Sequence, residues 1–159
     1  MRKVLVNSLL VFALLILYSC KNKELTPVNN VDITPGSNAI GTAGTPFDSS
    51  TQTLVSQGDF KNGGRYSTSG SAKLYKKGTT YTLVFEAFKT DQGPDLRVYL
   101  SEDTGARNFI ELVELKNSGN FYLTLPNNAK VDERMFVLVW CKRFSALFGS
   151  AELKASGQM

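Results

Sequence analysis

Beyond residue 52, short stretches with alternating apolar and polar residues are separated by turns rich in Gly, Asn and Asp. Successive side chains of a strand point to opposite faces, so each stretch predicts a strand with one apolar face. The inward positions are Tyr81, Leu83, Phe85 and Ala87, then Leu96, Val98 and Leu100, then Phe121, Leu123 and Leu125. Weaker strands are expected near Tyr66 to Tyr75, Phe109 to Leu115 and Ser150 to Lys154. The pattern predicts an all-β fold, an antiparallel sandwich of about eight strands, with a barrel as the alternative.

One further strand departs from alternation. The run Met135 to Cys141 is apolar at every position, so both of its faces need to be dry. A loop, or the region around Phe144 and Phe148, would cover the second face, or that face would bind a partner. A central strand covered by its own domain is the simplest interpretation.

The first nineteen residues have the pattern of a signal peptide. Two basic residues, Arg2 and Lys3, precede a largely apolar run that ends at Leu17. That run is too short to favour a permanent membrane span, which needs ~20 apolar residues. We expect residues 1–19 to be removed from the mature protein.

The end of this segment resembles a bacterial lipobox, in which the new N-terminal cysteine carries lipid. Ser19 and Cys20 fit the pattern, whereas Tyr18 is bulkier than the usual occupant. We expect lipid attachment at Cys20, which makes the lipid bilayer a partner of the protein. Lys21 stands where an aspartate would indicate retention at the inner membrane, so the outer membrane or cell surface is the favoured location.

Residues 20–52 comprise the lipidated cysteine and a segment with no sustained apolar periodicity. The segment contains Pro27, Pro35 and Pro46 among small polar residues. This composition is typical of a flexible tether. The sequence therefore predicts one folded domain, residues 53–159.

Composition excludes several classes of chemistry. The 159 residues include 18 basic and 14 acidic side chains, two cysteines and no histidine. Without histidine there is no Ser-His-Asp triad, no HExxH zinc helix and no His-ligated haem. Losing Arg2 and Lys3 leaves 16 minus 14, or +2, so binding to nucleic acid is disfavoured. No metal site or cofactor is evident, and a stand-alone enzyme is not expected.

Three stretches together resemble the electron-transfer DM domain, the family numbered thirteen: Tyr66 to Tyr75, Leu83 to Ser101 and Val137 to Leu153. The resemblance spans about residues 55 to 155, and both the order and the spacing of the motifs agree. The matching residues are Ser69, Gly70, Phe85, Phe88, Gly93, Pro94, Asp95, Leu96, Leu115, Lys116, Tyr122, Pro126, Trp140, Cys141, Phe144, Phe148, Gly149, Ala151 and Leu153.

The resemblance implies an extracytoplasmic all-β domain with cell-surface redox chemistry at a single cysteine, here Cys141. That cysteine would act as a naked thiol or carry a prosthetic group such as haem. Many relatives have a histidine just before the Ser-Gly step, where this chain has Tyr66. A haem with a histidine ligand is therefore excluded here, and the redox partner is not identified by the sequence.

The residues around Cys141 leave its accessibility open. Alternation places it on the same side as Val137 and Val139, which would bury the sulfur. Lys142 and Arg143 follow at once, which indicates that the strand ends there and that positive charge would activate the thiol. A reachable thiol supports a redox role, whereas an inert core cysteine supports the alternative, a tethered binding or adhesion module.

Two other groups of residues invite functional interpretations. Asp91 and Asp95 flank a Gly-Pro turn and would supply two of the six or more oxygens that calcium needs, although a plain turn explains them more simply. Tyr75 and Tyr99 are predicted to point outward and, with Trp140, would furnish a platform for a sugar or peptide, although exposed tyrosines are common on strands and explain them more simply.

Overall fold

The computed structural model of the chain describes residues 40–41 and 47–157, and all regular structure in this part is β. The predicted signal peptide, Cys20 and much of the predicted tether lie outside the described residues. No helix that is long and apolar enough to cross a membrane occurs among the described residues. The strands are β1 Ile40–Gly41, β2 Thr53–Asp59, β3 Lys61–Asn62, β4 Thr68–Lys77, β5 Thr80–Thr90, β6 Leu96–Ser101, β7 Ile110–Glu114, β8 Gly119–Thr124, β9 Phe136–Cys141, β10 Ala146–Glu152 and β11 Lys154–Ala155.

These strands form two antiparallel sheets. The first has six strands in the order β1-β8-β5-β4-β2-β11, and the second has five in the order β3-β10-β9-β6-β7. Eight of the strands have five or more residues, and the other three have two each. The predicted sandwich is confirmed. The barrel alternative is wrong, because no strand pairing joins the two sheets within the described part of the chain.

The main core fills the space between the sheets. Alternation supplies it as predicted along β6 and β8, where Leu96, Val98 and Leu100 face Phe121 and Leu123 across the sandwich. Burying a side chain of this size contributes ~1.5–3 kcal/mol relative to its exposure. A group of aromatic rings packs at its centre, with centroids 4.3 to 5.9 Å apart: Phe60, Phe85, Phe88 and Phe121.

The prediction that Ala87 points into the core is wrong. β5 contains a bulge at this residue, whose φ is 49°, and the ladders to β4 and β8 shift register there. Gly70 on β4 lies opposite, with φ 100°, and a Cβ at Gly70 would come within 2.6 Å of the Glu86 carbonyl oxygen. The extra residue turns Ala87 to solvent and brings Phe88 into the core.

β9 is buried on its first face and covered in part on its second, where Phe136 and Trp140 are half-buried, and one of the predicted explanations is confirmed. Its first face joins the main core through Val137, Val139 and Cys141. Its second face carries Leu138, and the loop between β6 and β7 covers it. The residues of this second cluster are Tyr99, Ala106, Phe109 and Leu138, with Phe136, Trp140 and Leu147 packed against them. Phe148 lies in the main core instead, and Phe144 is 56% exposed.

Part of the segment that precedes residue 53 lies against the first sheet. β1 pairs with β8, with Ile40 opposite Leu123 and Gly41 opposite Tyr122. The ring of Phe47 lies 4.9 Å from that of Tyr75 and 5.5 Å from that of Tyr122. The outer face of this sheet is therefore partly covered by residues outside the predicted domain.

Candidate functional site at the Cys141 end of the sandwich

Cys141 is the last residue of β9, a central strand. It pairs with Leu96 of β6 on one side and with Ala146 of β10 on the other. Its thiol is free and its side chain is 0% exposed, within the main core. Alternation therefore decides its position, because the strand runs through residue 141 and the turn begins only at Lys142.

The turn from Lys142 to Ser145 closes the sandwich beyond Cys141. The Lys142 amide donates to the Asp95 carbonyl oxygen at 2.9 Å, and Ser145 adopts a φ of 47°. The Lys142 ammonium lies 3.3 Å from Oε2 of Glu111, on the solvent side. The cation that follows the cysteine is thus engaged by a surface carboxylate, and the sulfur lies on the other side of the backbone in the core.

The Asp91–Asp95 loop, which joins β5 to β6, covers the same end of the sandwich. The Asp91 amide donates to the Ser67 carbonyl oxygen at 3.0 Å, and the Ser67 amide donates to Oδ2 of Asp91 at 2.8 Å. Asp95 is held by the Arg97 guanidinium at 2.6 Å. Both carboxylates have structural partners. Among the described residues, no group of three or more Asp, Glu, Cys or His side chains is arranged to hold a metal ion.

Two glycines of the motif allow close packing beside this loop. A Cβ at Gly93 would lie 2.7 Å from Cδ2 of Leu96 and 3.0 Å from Cζ of Phe148. A Cβ at Gly149 would lie 2.4 Å from Cβ of Thr68. The Thr68 hydroxyl donates to the Phe148 carbonyl oxygen at 2.8 Å, which ties the two sheets together here. The motif residues thus build the end of the sandwich around Cys141.

Tyr66 lies just before the Ser69-Gly70 step of the motif, at the same end of the sandwich. Its ring stacks on that of Phe148, with centroids 3.7 Å apart and planes 8° from parallel. The guanidinium carbon of Arg65 lies 5.5 Å from the centre of the Tyr66 ring. This position therefore contributes an aromatic cover to the core.

The predicted aromatic platform is not an open surface. Tyr75 does point outward, but Phe47 packs on it. Tyr99 is only 3% exposed, because the β6–β7 loop lies over it and its ring stacks on Phe109 at 4.2 Å. Burial, followed by the charge of Glu111, raises the pKa of Tyr99 to about 12. Trp140 is half-buried, with its ring 6.2 Å from that of Tyr99.

Two surface clefts in the described part of the chain lie away from the sulfur. A groove of about 190 Å³ at the Cys141 end is lined by polar residues such as Ser67, Lys89 and Asp91. A cleft of about 280 Å³ lies at the opposite end, beside the β4–β5 turn and residues 125–132. Cys141 lines neither.

Sequence reasoning missed Arg134, which is 1% exposed. Its guanidinium donates to the carbonyl oxygen and the side-chain oxygen of Asn108 and to the Ala129 carbonyl oxygen. It thereby joins the loop that covers β9 to the segment after β8. Nothing in the local sequence separates this arginine from its charged neighbours Asp132 and Glu133, so no signal could have found it.

The family comparison agrees with these motifs. Residues 59–153 match the family model described as Electron transfer DM13. The chain belongs to the DM13 family. The match runs from the end of β2 to Leu153 and includes Cys141 and the Asp91–Asp95 loop of the DM13 domain. No curated protein and no solved structure matches the chain.

Proposed function

We propose that the protein is a membrane-anchored, extracytoplasmic lipoprotein whose DM13 domain takes part in cell-surface electron transfer through Cys141. The family match over residues 59–153 carries the electron-transfer part of this proposal. The Ser19-Cys20 pattern supports the anchor, with lipid on Cys20 and the domain held outside the cytoplasm. The domain would exchange electrons with a partner and would not turn over a substrate alone.

The burial of Cys141 sets a condition on this mechanism. A sulfur with no exposed surface can meet a partner's sulfur or a soluble oxidant only when the fold opens. The short turn from Lys142 to Ser145 is the element whose opening would expose it, since β9 and β10 are joined there. A redox role for Cys141 therefore requires this turn to open far more often than the whole domain unfolds.

A second candidate is a tethered binding or adhesion module in which Cys141 is a packing side chain. The observation that favours it is the complete burial of the sulfur between two central strands. Buried free cysteines commonly serve as small apolar residues.

Thiol labelling separates the two candidates. The chain with Cys20→Ser is treated with a disulfide reagent in increasing urea below the unfolding transition. A redox thiol exposed by local opening reacts at a rate that low urea leaves nearly constant, whereas an inert core thiol reacts at a rate that follows global unfolding. We expect the first result if Cys141 carries electron transfer.

The control moves the thiol to the far end of a neighbouring strand. Ala151 on β10 is also 0% exposed, so the pair Cys141→Ala and Ala151→Cys places an equally buried sulfur away from the turn. This variant should react only through global unfolding. If the native Cys141 behaves in the same way, and protein from its own host shows no visible absorption, the electron-transfer role of Cys141 is rejected and the binding module stands.

A further inference from the structure

The residues just before the domain carry an inference about its orientation. We call residues 40–41 and 47–52 the strap. We propose that the strap is docked on the six-stranded sheet, with Phe47 as its main contact, so that the anchored domain presents its Cys141 end away from the membrane. The docking is independent of the anchor, whereas the orientation to the membrane rests on the lipid attachment proposed for Cys20.

Phe47 lies in a site on the outer face of the sheet. Tyr75 and Tyr122 lie on either side, with ring centroids 4.9 and 5.5 Å from that of Phe47. Thr82 pairs with Tyr75, and Val84 pairs with Tyr122, so these two side chains lie between the tyrosines on the same face. Both are buried, although they point away from the main core. The burial of Thr82 and Val84 on the outer face is therefore explained by the Phe47 ring, which lies over this part of the sheet between the two tyrosines.

A polar contact joins the remainder of the strap to the sheet, and others lie within the strap. The Lys77 ammonium donates to the Thr51 hydroxyl at 3.1 Å, and the Ser50 amide donates to Oδ1 of Asp48 at 2.9 Å. The Gln52 amide also donates to the Ser49 carbonyl oxygen at 3.1 Å. The strap thus has an aromatic contact, a backbone pairing at β1 and a side-chain contact with the β4–β5 turn.

The direction of β1 shows where the chain enters. β8 runs from Gly119, which pairs with Phe88, to Thr124, which pairs with Thr82 near the β4–β5 turn. β1 is antiparallel to β8, and Ile40 pairs with Leu123. Ile40, the first described residue of the strap, therefore lies nearer the β4–β5 turn than Gly41 does.

Cys141 lies at the other end of the sandwich. It pairs with Leu96, which directly follows the loop from the far end of β5 at Thr90. The eight residue-to-residue steps from Thr82 to Thr90 correspond to ~26 Å at ~3.3 Å a step. A tether rooted at the β4–β5 turn end leaves the Lys142 to Ser145 turn on the distal side, where a redox or surface partner would approach.

Spin-label distances test this geometry. In the chain with Cys20→Ser, one label is placed by Asn38→Cys and the second by either Asn127→Cys or Arg143→Cys, both of which are exposed positions. Asn127 lies beside the β4–β5 turn and Arg143 lies in the distal turn. We expect a narrow distribution of label-to-label distances in each pair. The distance from residue 38 to residue 127 should be shorter than that to residue 143 by ~20 Å, slightly less than the strand length between the two ends. Broad or equal distances, or a closer Arg143 pair, would overturn the proposal.

Phe47→Ala tests the aromatic contact. It should broaden both distance distributions and raise the hydrogen exchange of the β8 edge about tenfold, since two aromatic contacts are lost. Alternate residues of a strand direct their amides to opposite neighbouring strands, so one of the Tyr122 and Leu123 amides faces β1 and the other faces β5. The exchange rate of the amide that faces β1 is the one to measure. Phe144→Ala is the matched control, since this exposed ring is remote from the strap and its removal should change neither readout. If Phe47→Ala behaves like Phe144→Ala, Phe47 does not hold the strap. Lipid attachment is measured separately, so its failure would leave the docking result intact.

Discussion

Replacing Arg134 by methionine should destabilise the domain strongly, although this side chain belongs to no ion pair among the described residues. This residue is 1% exposed. Its guanidinium donates to the backbone carbonyl oxygen and to the side-chain Oδ1 of Asn108. It also donates to the Ala129 carbonyl oxygen at 3.0 Å. Asn108 has a left-handed φ of 47°, and its side-chain amide donates to Glu102, so the arginine fixes a loop residue that is itself held by the loop. Methionine fills much of the same volume but leaves three acceptors without this donor.

The magnitude follows from two opposing effects. Each hydrogen bond from a charged donor contributes ~1.5–3 kcal/mol, and a buried acceptor left unpaired costs ~1–3 kcal/mol. Methionine also removes the cost of burying a charge, which offsets part of this loss. We therefore expect a net loss of ~2–4 kcal/mol, a large share of the ~5–15 kcal/mol that stabilises a typical domain.

Urea unfolding followed by the fluorescence of Trp140 measures this loss. Trp140 is the one tryptophan of the sequence and packs against the cluster that the β6–β7 loop covers, so its emission also reports loosening of that loop. Arg107→Met is the matched control, since Arg107 lies in the same loop, its side chain is 68% exposed, and it pairs with Glu102 and Asp103 on the surface. Such exposed pairs contribute at most ~1 kcal/mol. A loss below ~1 kcal/mol for Arg134→Met, or equal losses for the two variants, would refute the reasoning.

Two further predictions concern alkaline pH and the anchor. Burial raises the pKa of Tyr99 to about 12, whereas an unfolded tyrosine ionises near ~10. The stability contributed by neutral Tyr99 is therefore fully present below pH ~10 and is lost as the pH rises through ~12, by ~2–3 kcal/mol in all. Tyr99→Phe should lack this part of the decline in denaturant titrations, and an unchanged pH profile would contradict it. Cys20→Ser should abolish lipid attachment and leave precursor or released protein, and a lipid mass still present at the N-terminus would reject the lipobox.

The strands could be predicted because each depends on local alternation. The inward residues of β6 and β8 follow directly from period two, and the all-apolar β9 indicated a strand covered on both faces. The bulge at Ala87 could not be predicted in the same way. It depends on Gly70 in the neighbouring strand, and a pattern read along β5 alone carries no information about the register across the sheet.

The site was predictable only in part, for a similar reason. The motif residues predicted which segments meet at the Cys141 end, but the covering contacts come from distant parts of the chain. Phe109 covers Tyr99 from a loop, and Phe47 covers Tyr75 from before the predicted domain. Arg134 finds two of its three acceptors, both on Asn108, by tertiary packing, so its burial has no signature in its own neighbours.

The burial of Cys141 changes what a redox role would require of the domain. Thiol–disulfide exchange needs direct approach of two sulfurs, so the observed rate is the intrinsic rate multiplied by the fraction of molecules in which the turn is open. An opening that costs ~4 kcal/mol slows the reaction ~10³-fold, since ~1.4 kcal/mol is a factor of ten. The same cost of opening would protect the thiol from overoxidation in an oxidising compartment, where an exposed lone thiolate would proceed to irreversible acids. The free energy of opening at the Lys142 to Ser145 turn, more than the charge of its cations, therefore determines whether Cys141 can serve electron transfer.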